Sequence, residues 1–202
     1  MNNSKNILFL WPNVISFTAL LMAWLAIVIL LQEKFYLSFA LILVAFIFDS
    51  ADGYLARKLN QVSDFGRQLD SKVDIFIYLV YPAITFYQFF KLDDPFSIII
   101  IFVFLASGIF RLVRFNCIGY VSGFNYPGLP VIFSHLLVLI FLLFKEINLP
   151  YFVYLANFLI LGTSALMLCT FPFPKPKKIS KGVVLLLILI FIMLYLHFYG
   201  NN

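Results

Sequence analysis

The chain has 202 residues, of which 63% are hydrophobic and only 11% are charged, and its formal net charge is +5. Soluble domains contain roughly 45–50% apolar residues, so this composition excludes an ordinary soluble protein and indicates an integral membrane protein. The positive charge is modest and forms no basic patch interleaved with exposed aromatic residues. We therefore predict no nucleic-acid partner and expect the charge to suit an anionic membrane surface.

A helix needs about 20 mainly apolar residues to cross a bilayer, and seven segments approach that length. We predict an all-α, polytopic helical bundle of six core transmembrane helices with an additional C-terminal span at 182–199. Short loops favour a single domain over residues 1–202. Residues 1–11 are expected to form a cytoplasmic or interfacial segment, or else to lengthen the first span. The predicted spans are roughly residues 12–32, 35–56, 66–90, 96–115, 130–144, 151–171 and 182–199.

The basic residues predict the orientation of these spans, because cytoplasmic loops carry an excess of Lys and Arg. With a cytoplasmic N-terminus, one side holds Lys5, Arg57, Lys58, Arg67, Lys72, Arg111, Arg114, Lys175, Lys177, Lys178 and Lys181. The other side holds only Lys34, Lys91 and Lys145. The segment between the second and third spans is therefore predicted to face the cytoplasm.

That segment, residues 48–74, concentrates the acidic residues of the chain. Asp49 and Asp52 are three residues apart at the end of the second span, and Asp70 and Asp74 are four apart at the start of the third. Each pair shares one face of a helix. We expect the two helix ends to bring all four carboxylates together. Since close carboxylates repel one another and hard cations prefer oxygen ligands, this predicts a divalent metal site.

A solvated loop between two membrane helices is the simpler alternative, and it fits Lys58 and Asn60. It fits Asp70 and Asp74 poorly, because residues 75–80 continue as an apolar run. Carboxylates at the edge of a span are costly unless they are paired or functional.

The same segment supplies further groups suited to phosphate. Gly53, Ala56 and Gly66 are small and allow a ligand to approach closely, and Arg57 offers a planar fork that matches phosphate oxygens. Metal-binding carboxylates, small residues and an arginine are together typical of phosphoryl transfer.

A second polar group follows the fourth span, where Arg111 and Arg114 are three residues apart and Asn116 lies close by. One or both arginines could bind an anionic group, a phosphate or the carboxylate of an acceptor. Anchoring at the membrane surface by snorkelling side chains would explain them as well.

Residues 49–74 resemble the signature of the CDP-alcohol phosphotransferase family, D-x2-D-G-x2-A-R-x8-G-x3-D-x3-D, and every fixed position is present. The segments RLVRFN and GLP, together with LMLCTFPFPKPKK, are similar to those of bacterial phosphatidylserine synthases within that family. Departures from the synthase pattern, Ser50 in place of Gly and residues 77–79 in place of Ser-Phe-Gly, leave other acceptors open.

The resemblance implies an enzyme of phospholipid biosynthesis that transfers the phosphatidyl group of CDP-diacylglycerol to a small alcohol, with serine favoured, and releases CMP. Glycerol 3-phosphate and an inositol derivative are alternative acceptors. It implies two ions, Mg²⁺ or Mn²⁺, on Asp49, Asp52, Asp70 and Asp74, with Asp74 as general base. It further implies CDP-lipid contacts from Gly53, Ala56, Arg57 and Gly66, a homodimer, and a bacterial-type cytoplasmic (inner) membrane location with the active site facing the cytoplasm.

The sequence leaves two rival hypotheses open. Carboxylates in membrane proteins also mark ion pathways, so a cation transporter is one of them, although the acidic residues lie at one face of the predicted bundle and none lies in the middle of a span. A catalytically inactive, lipid-binding relative is the other, and the complete set of aspartates argues against it.

Overall fold

The computed structural model describes residues 10–90, 95–119, 126–144, 151–174 and 179–199. Apart from two strands of two residues each, the regular structure in these ranges is helical, which confirms the predicted all-α class. The elements are α1 Trp11–Leu31, α2 Phe35–Lys58, α3 Asp64–Ile75, a π-helical turn Phe76–Val80, α4 Tyr81–Phe90, α5 Pro95–Ile118, β1 Tyr126–Pro127, α6 Phe133–Phe144, α7 Phe152–Leu168, β2 Pro172–Phe173 and α8 Ile179–Tyr199.

Several helices have the length and composition of membrane spans. Trp11–Leu31, Phe35–Lys58 and Pro95–Cys117 are long and apolar enough to cross a bilayer, and Phe133–Phe144, Phe152–Leu168 and Leu185–Tyr199 are shorter apolar helices. Large apolar side chains are exposed along them, as at Phe102 and Phe158. Such surfaces suit lipid rather than water, and the protein is an integral membrane protein.

The described chain forms two compact units. The first contains residues 10–77 and 179–199, and the second contains residues from Tyr78 to the end of β2. The single domain over residues 1–202 stays a prediction. Most of the predicted N-terminal segment, residues 1–9, and the basic residues Lys175, Lys177 and Lys178 lie outside the described residues.

In the first unit, α1 and α2 pack closely because small residues line the contact. Ala19, Ala23 and Ala26 of α1 are fully buried, and the hydroxyl of Ser38 in α2 donates to the carbonyl oxygen of Ala26 at 2.7 Å. Small side chains allow helix backbones to approach, and an interhelical hydrogen bond adds to the packing where water is absent.

The turn between α2 and α3 is built by local chemistry. Asn60 has a φ of 55°, and the backbone N–H of Gln61 donates to the carbonyl of Ala56 at 2.9 Å. Asn is one of the few residues other than Gly that adopts this left-handed conformation readily at a helix end. Ser63 then starts α3, because its hydroxyl accepts the backbone N–H of Gly66 at 3.0 Å. This short turn returns the chain directly after α2.

In the second unit, α4, α5 and α6 share an aromatic core. Phe86 is fully buried and packs edge-on against Phe104 and Phe141, with ring centroids 5.4 and 5.2 Å away. A buried hydrogen bond from the side-chain amide of Asn157 in α7 to the hydroxyl of Ser97 in α5, 2.9 Å long, joins two apolar helices.

The third predicted span, 66–90, differs from an uninterrupted α-helix. It is helical, but the π-helical turn Phe76–Val80 separates α3 from α4. The hydroxyl of Ser134 donates to the carbonyl oxygen of Tyr78 at 2.7 Å, and Leu79 fills the space left by the missing side chain of Gly108. A π turn leaves carbonyl groups without their usual intrahelical partner, and the partner that Ser134 supplies is 56 residues away in the sequence.

Candidate active site

The last turns of α2 carry the first two predicted ligands. Asp49 and Asp52 are 8% and 3% exposed, so both carboxylates lie inside the first unit. Buried carboxylates are rare unless a partner or a cation compensates their charge.

Asp70 of α3 completes a cluster with these two residues. One carboxylate oxygen from each of Asp49, Asp52 and Asp70 lies within 4.8 Å of the others. The structure therefore brings three of the four predicted carboxylates together where α2 and α3 meet. Asp74 lies one helical turn beyond Asp70 and is half-buried. Its roles as ligand and base stay predictions.

The donor set fits a hard divalent cation. It consists of carboxylate oxygens from two helices that a five-residue turn holds together. Three like charges at this separation repel strongly in a buried site, and a cation between them would remove that repulsion. Oxygen-only ligands suit Mg²⁺ and Mn²⁺.

Two buried polar residues of α1 lie near this cluster, and one of them, Ser16, bonds to it. The hydroxyl of Ser16 donates to the carboxylate of Asp52, and it also lies 3.1 Å from the carbonyl oxygen of Pro12. Ser16 and Asn13 are 3% and 2% exposed. The amino-acid sequence alone does not assign either residue to the site, since helix-start chemistry explains both as well as contact with a nucleotide does. The signal for a site role was their polarity at the start of an otherwise apolar helix.

Gly66 and Gly53 differ in how closely other atoms pack against them. A Cβ on Gly66 would lie 3.1 Å from the hydroxyl of Ser63 and 3.3 Å from the side-chain oxygen of Asn13. Gly66 therefore lets the start of α3 approach α1. Within the described part of the chain, a Cβ on Gly53 would meet Arg57 alone, at 3.6 Å, which is an ordinary contact.

Arg57 and Ala56 follow on the last turn of α2. The Arg57 side chain is exposed, whereas Ala56 is half-buried. An exposed guanidinium near the end of α2 is accessible to an anionic ligand. Contact of Gly53, Ala56, Arg57 and Gly66 with a CDP-lipid stays a prediction.

The second predicted polar group lies in the second unit, and its members have different surroundings. Arg111 is 4% exposed, and its guanidinium carbon lies 5.6 and 5.8 Å from the ring centroids of Phe115 and Tyr126. Arg114 donates to main-chain carbonyls of Pro127, Met167, Leu168 and Cys169. Asn116 is exposed. Binding of an anion by any of the three stays a prediction.

The profile of the CDP-alcohol phosphatidyltransferase family matches residues 9–173. The chain belongs to this family. The match confirms the resemblance predicted from residues 49–74. The matched range includes that segment and also Arg111, Arg114 and Asn116. It ends at the last residue of β2, so α8 lies beyond it.

Curated relatives carry related names. A Methanocaldococcus jannaschii protein named CDP-diacylglycerol–serine O-phosphatidyltransferase is 40% identical over 144 residues, which are 70% of this chain and 66% of that protein. The archaetidylserine synthase of Methanothermobacter thermautotrophicus is 28% identical, over 87% of this chain and 74% of its own length. A Bacillus subtilis protein named CDP-diacylglycerol–serine O-phosphatidyltransferase is 31% identical, over 83% of this chain and 91% of its own length.

Proposed function

We propose that the protein is a phosphatidyltransferase of phospholipid biosynthesis that joins CDP-diacylglycerol to the hydroxyl of L-serine, giving phosphatidylserine and CMP. The observation that carries the proposal is the cluster of Asp49, Asp52 and Asp70, whose carboxylate oxygens lie within 4.8 Å of one another. The names of the relatives support serine as the acceptor.

Asp49, Asp52 and Asp70 would hold divalent metal, with Asp74 as a fourth ligand in a two-ion site for Mg²⁺ or Mn²⁺. When bound, such ions neutralise the charge that develops on the leaving phosphate. The protein's own contribution is to hold the carboxylates in place before the substrate arrives. The turn at Asn60 and the hydrogen bond from Ser16 serve that purpose, because both restrict the positions of the ligands.

In the proposed reaction, Asp74 acts as the general base. Its carboxylate takes the proton from the serine hydroxyl as the oxygen attacks the phosphorus that carries the diacylglycerol. The bond from that phosphorus to the oxygen shared with CMP breaks, and CMP leaves with the bond's electron pair. Gly53, Ala56 and Gly66 would leave room for the cytidine and its phosphates, and Arg57 would bind a phosphate.

The acceptor needs a cationic partner for its carboxylate, and we propose Arg111. A buried arginine held between aromatic rings has lost much of its hydration. Binding of a carboxylate to it is therefore more favourable in free energy than binding to an exposed lysine. Asn116, which follows Arg111 in the sequence and is exposed, is a further hydrogen-bonding candidate.

Location and assembly belong to the same proposal. The excess of basic residues on one side favours an active site that faces the cytoplasm from a bacterial-type inner membrane. There CDP-diacylglycerol in the lipid bilayer and serine in the cytoplasm would both reach the protein. A homodimer is proposed from the family resemblance.

The test is CMP release by purified protein with CDP-diacylglycerol and one acceptor at a time: serine, glycerol 3-phosphate or inositol phosphate. The proposal predicts CMP release with serine and a product that comigrates with phosphatidylserine. Release with glycerol 3-phosphate but not serine would contradict the serine assignment and leave the phosphatidyl transfer intact. Cation flux in liposomes without CMP release would instead favour a transporter.

A further inference from the structure

The side chain of Arg114 contacts four main-chain carbonyl oxygens. One terminal nitrogen, Nη1, donates to the carbonyl oxygen of Leu168 at 2.6 Å. The other, Nη2, lies 2.9 Å from the carbonyl oxygens of Met167 and Cys169 and 3.0 Å from that of Pro127. Its guanidinium thus joins the end of α7 to β1.

The carbonyls at the end of α7 need such a partner. The last carbonyl groups of a helix have no intrahelical donor, and a cation there also interacts favourably with the helix dipole. Met167 and Leu168 end α7, and Cys169 is the residue that follows it. Arg114 supplies the donors that the helix itself cannot.

Further main-chain bonds hold the same junction. The N–H of Gly128 donates to the carbonyl oxygen of Phe171 at 2.8 Å, and the N–H of Leu129 donates to that of Leu166 at 3.1 Å. Tyr126 pairs with Phe173 in the short antiparallel ladder of β1 and β2. We call Arg114, residues 126–129 and residues 166–173 the α7 clasp.

Gly128 shows how closely the α7 clasp is packed. A Cβ at this position would collide with the carbonyl oxygen of Cys169 and would lie 3.0 Å from Nη2 of Arg114. The absence of a side chain at Gly128 is therefore what lets the guanidinium and the end of α7 meet the strand.

Tyr126 belongs to the α7 clasp and also contacts Arg111. Tyr126 directly precedes Pro127, whose carbonyl accepts from Arg114, and the Tyr126 ring lies 5.8 Å from the guanidinium carbon of Arg111. The rings of Phe115 and Tyr126 are 5.7 Å apart between centroids, and Arg111 contacts both. Phe115 belongs to α5, whereas Tyr126 belongs to β1, the strand whose Pro127 accepts from Arg114 and which pairs with β2.

We infer that the two arginines have separate tasks: Arg114 is a positioning residue that holds the α7 clasp, and through Tyr126 it sets the orientation of Arg111 toward an anionic acceptor. The inference rests on the proposed function for the identity of that acceptor. The structural step, in which loss of Arg114 releases the backbone of residues 128 and 129, is independent of the proposed function.

The structural step is tested by amide hydrogen exchange of the detergent-solubilised protein. Arg114→Gln is expected to raise the exchange rates at Gly128 and Leu129 by about tenfold or more, since local opening determines protection. Arg67→Gln is the matched control, because Arg67 is exposed and pairs with Asp64 in the first unit. Unchanged exchange at Gly128 and Leu129 in Arg114→Gln would overturn the inference.

The functional step is tested by the Michaelis constants of both substrates. A cation–π contact is worth roughly 0.5–2 kcal/mol, so Tyr126→Leu and Arg114→Gln are each expected to raise the acceptor KM by about 2- to 30-fold. Tyr126→Phe retains the ring and is expected to rescue the acceptor KM. The KM for CDP-diacylglycerol is expected to change by less than about twofold, on the same reasoning, because the rings act on Arg111.

The outcomes separate the inference from the proposed function. If serine does not support CMP release, the proposed acceptor is wrong, and the same KM comparison is made with the alcohol that does. A rise in acceptor KM in Arg114→Gln without faster exchange at Gly128 and Leu129 would mean that Arg114 binds the substrate directly, which contradicts the inference. If Arg114→Gln does not fold, Arg114→Lys, which keeps the charge but loses the planar fork, and Tyr126→Leu decide by the same measurements.

Discussion

Ser16 of α1 donates a hydrogen bond to the carboxylate of Asp52 in α2, although 36 residues separate them in the sequence. Both residues are buried. A ligand that is hydrogen-bonded by a neighbouring side chain presents a defined oxygen to a metal. The start of the first helix therefore belongs to the candidate metal site.

Ser16→Ala is expected to weaken the affinity for Mg²⁺ or Mn²⁺ by about 10- to 100-fold, the usual effect of losing a partner of a metal ligand. The measurement is the metal concentration that gives half-maximal CMP release, together with Mn²⁺ binding followed by electron paramagnetic resonance. Thr18→Ala is the matched control, because the Thr18 hydroxyl donates to the backbone of its own helix, at the carbonyl of Val14, and not to a carboxylate of the described cluster. Equal metal affinity in Ser16→Ala and wild type would show that Ser16 does not orient the ligand.

Asp49→Asn is expected to reduce CMP release by on the order of 10²-fold or more, because metal ions supply several kcal/mol of charge stabilisation and each 1.36 kcal/mol is a factor of ten. Asp64→Asn is the matched control, since Asp64 belongs to the same segment but is exposed and paired with Arg67. We expect its rate to stay within about twofold of wild type, as exposed ion pairs contribute little. Similar rates for the two variants would remove Asp49 from the site.

Asp74→Asn is expected to reduce the rate by about 10²- to 10⁴-fold, the range of general acid–base catalysis. The measurement is the single-turnover rate with serine at saturating metal concentration, so that any loss of metal affinity is compensated. Turnover close to wild type under these conditions would exclude Asp74 as the base.

Much of the site could be predicted from the sequence because its information is local. The spacings of Asp49 with Asp52 and of Asp70 with Asp74 place each pair on one helix face, and a short polar turn must bring the helices back together. Asn60 adopts the left-handed conformation in this turn, and Asn is a residue type that does so readily at a helix end.

The remaining features depend on residues that are distant in the sequence. Arg114 bonds to carbonyls 53 to 55 residues away in the end of α7, and no side-chain type in that segment reveals them. In the π-helical turn inside the third predicted span, the carbonyl oxygen of Tyr78 likewise accepts a hydrogen bond from a distant residue, Ser134 of α6. Main-chain acceptors carry no sequence signal, so neither contact can be inferred from composition or periodicity.

Gly128→Ala is expected to destabilise the protein more than Gly119→Ala does. The two glycines have φ values of 74° and 73°, so both substitutions incur the same left-handed strain of about 1 kcal/mol. Among the residues that the structure describes, nothing lies within 4 Å of a Cβ at Gly119, whereas one at Gly128 would collide with the carbonyl oxygen of Cys169. Overpacking adds about 1–3 kcal/mol. The measurement is the apparent Tm in detergent, and equal Tm values for the two variants would contradict the packing of the α7 clasp.

We propose that the carboxylates of Asp49, Asp52 and Asp70 form a divalent metal site that phosphatidyl transfer requires. It is tested most directly by removing metal with EDTA and titrating Mn²⁺ back while serine-dependent CMP release and bound Mn²⁺ are measured in the same samples. Activity is expected to be lost with the metal and to return as Mn²⁺ binds, and Asp70→Asn is expected to bind less Mn²⁺ and to stay inactive. Full CMP release by metal-free protein, or equal Mn²⁺ binding by wild type and Asp70→Asn, would contradict it.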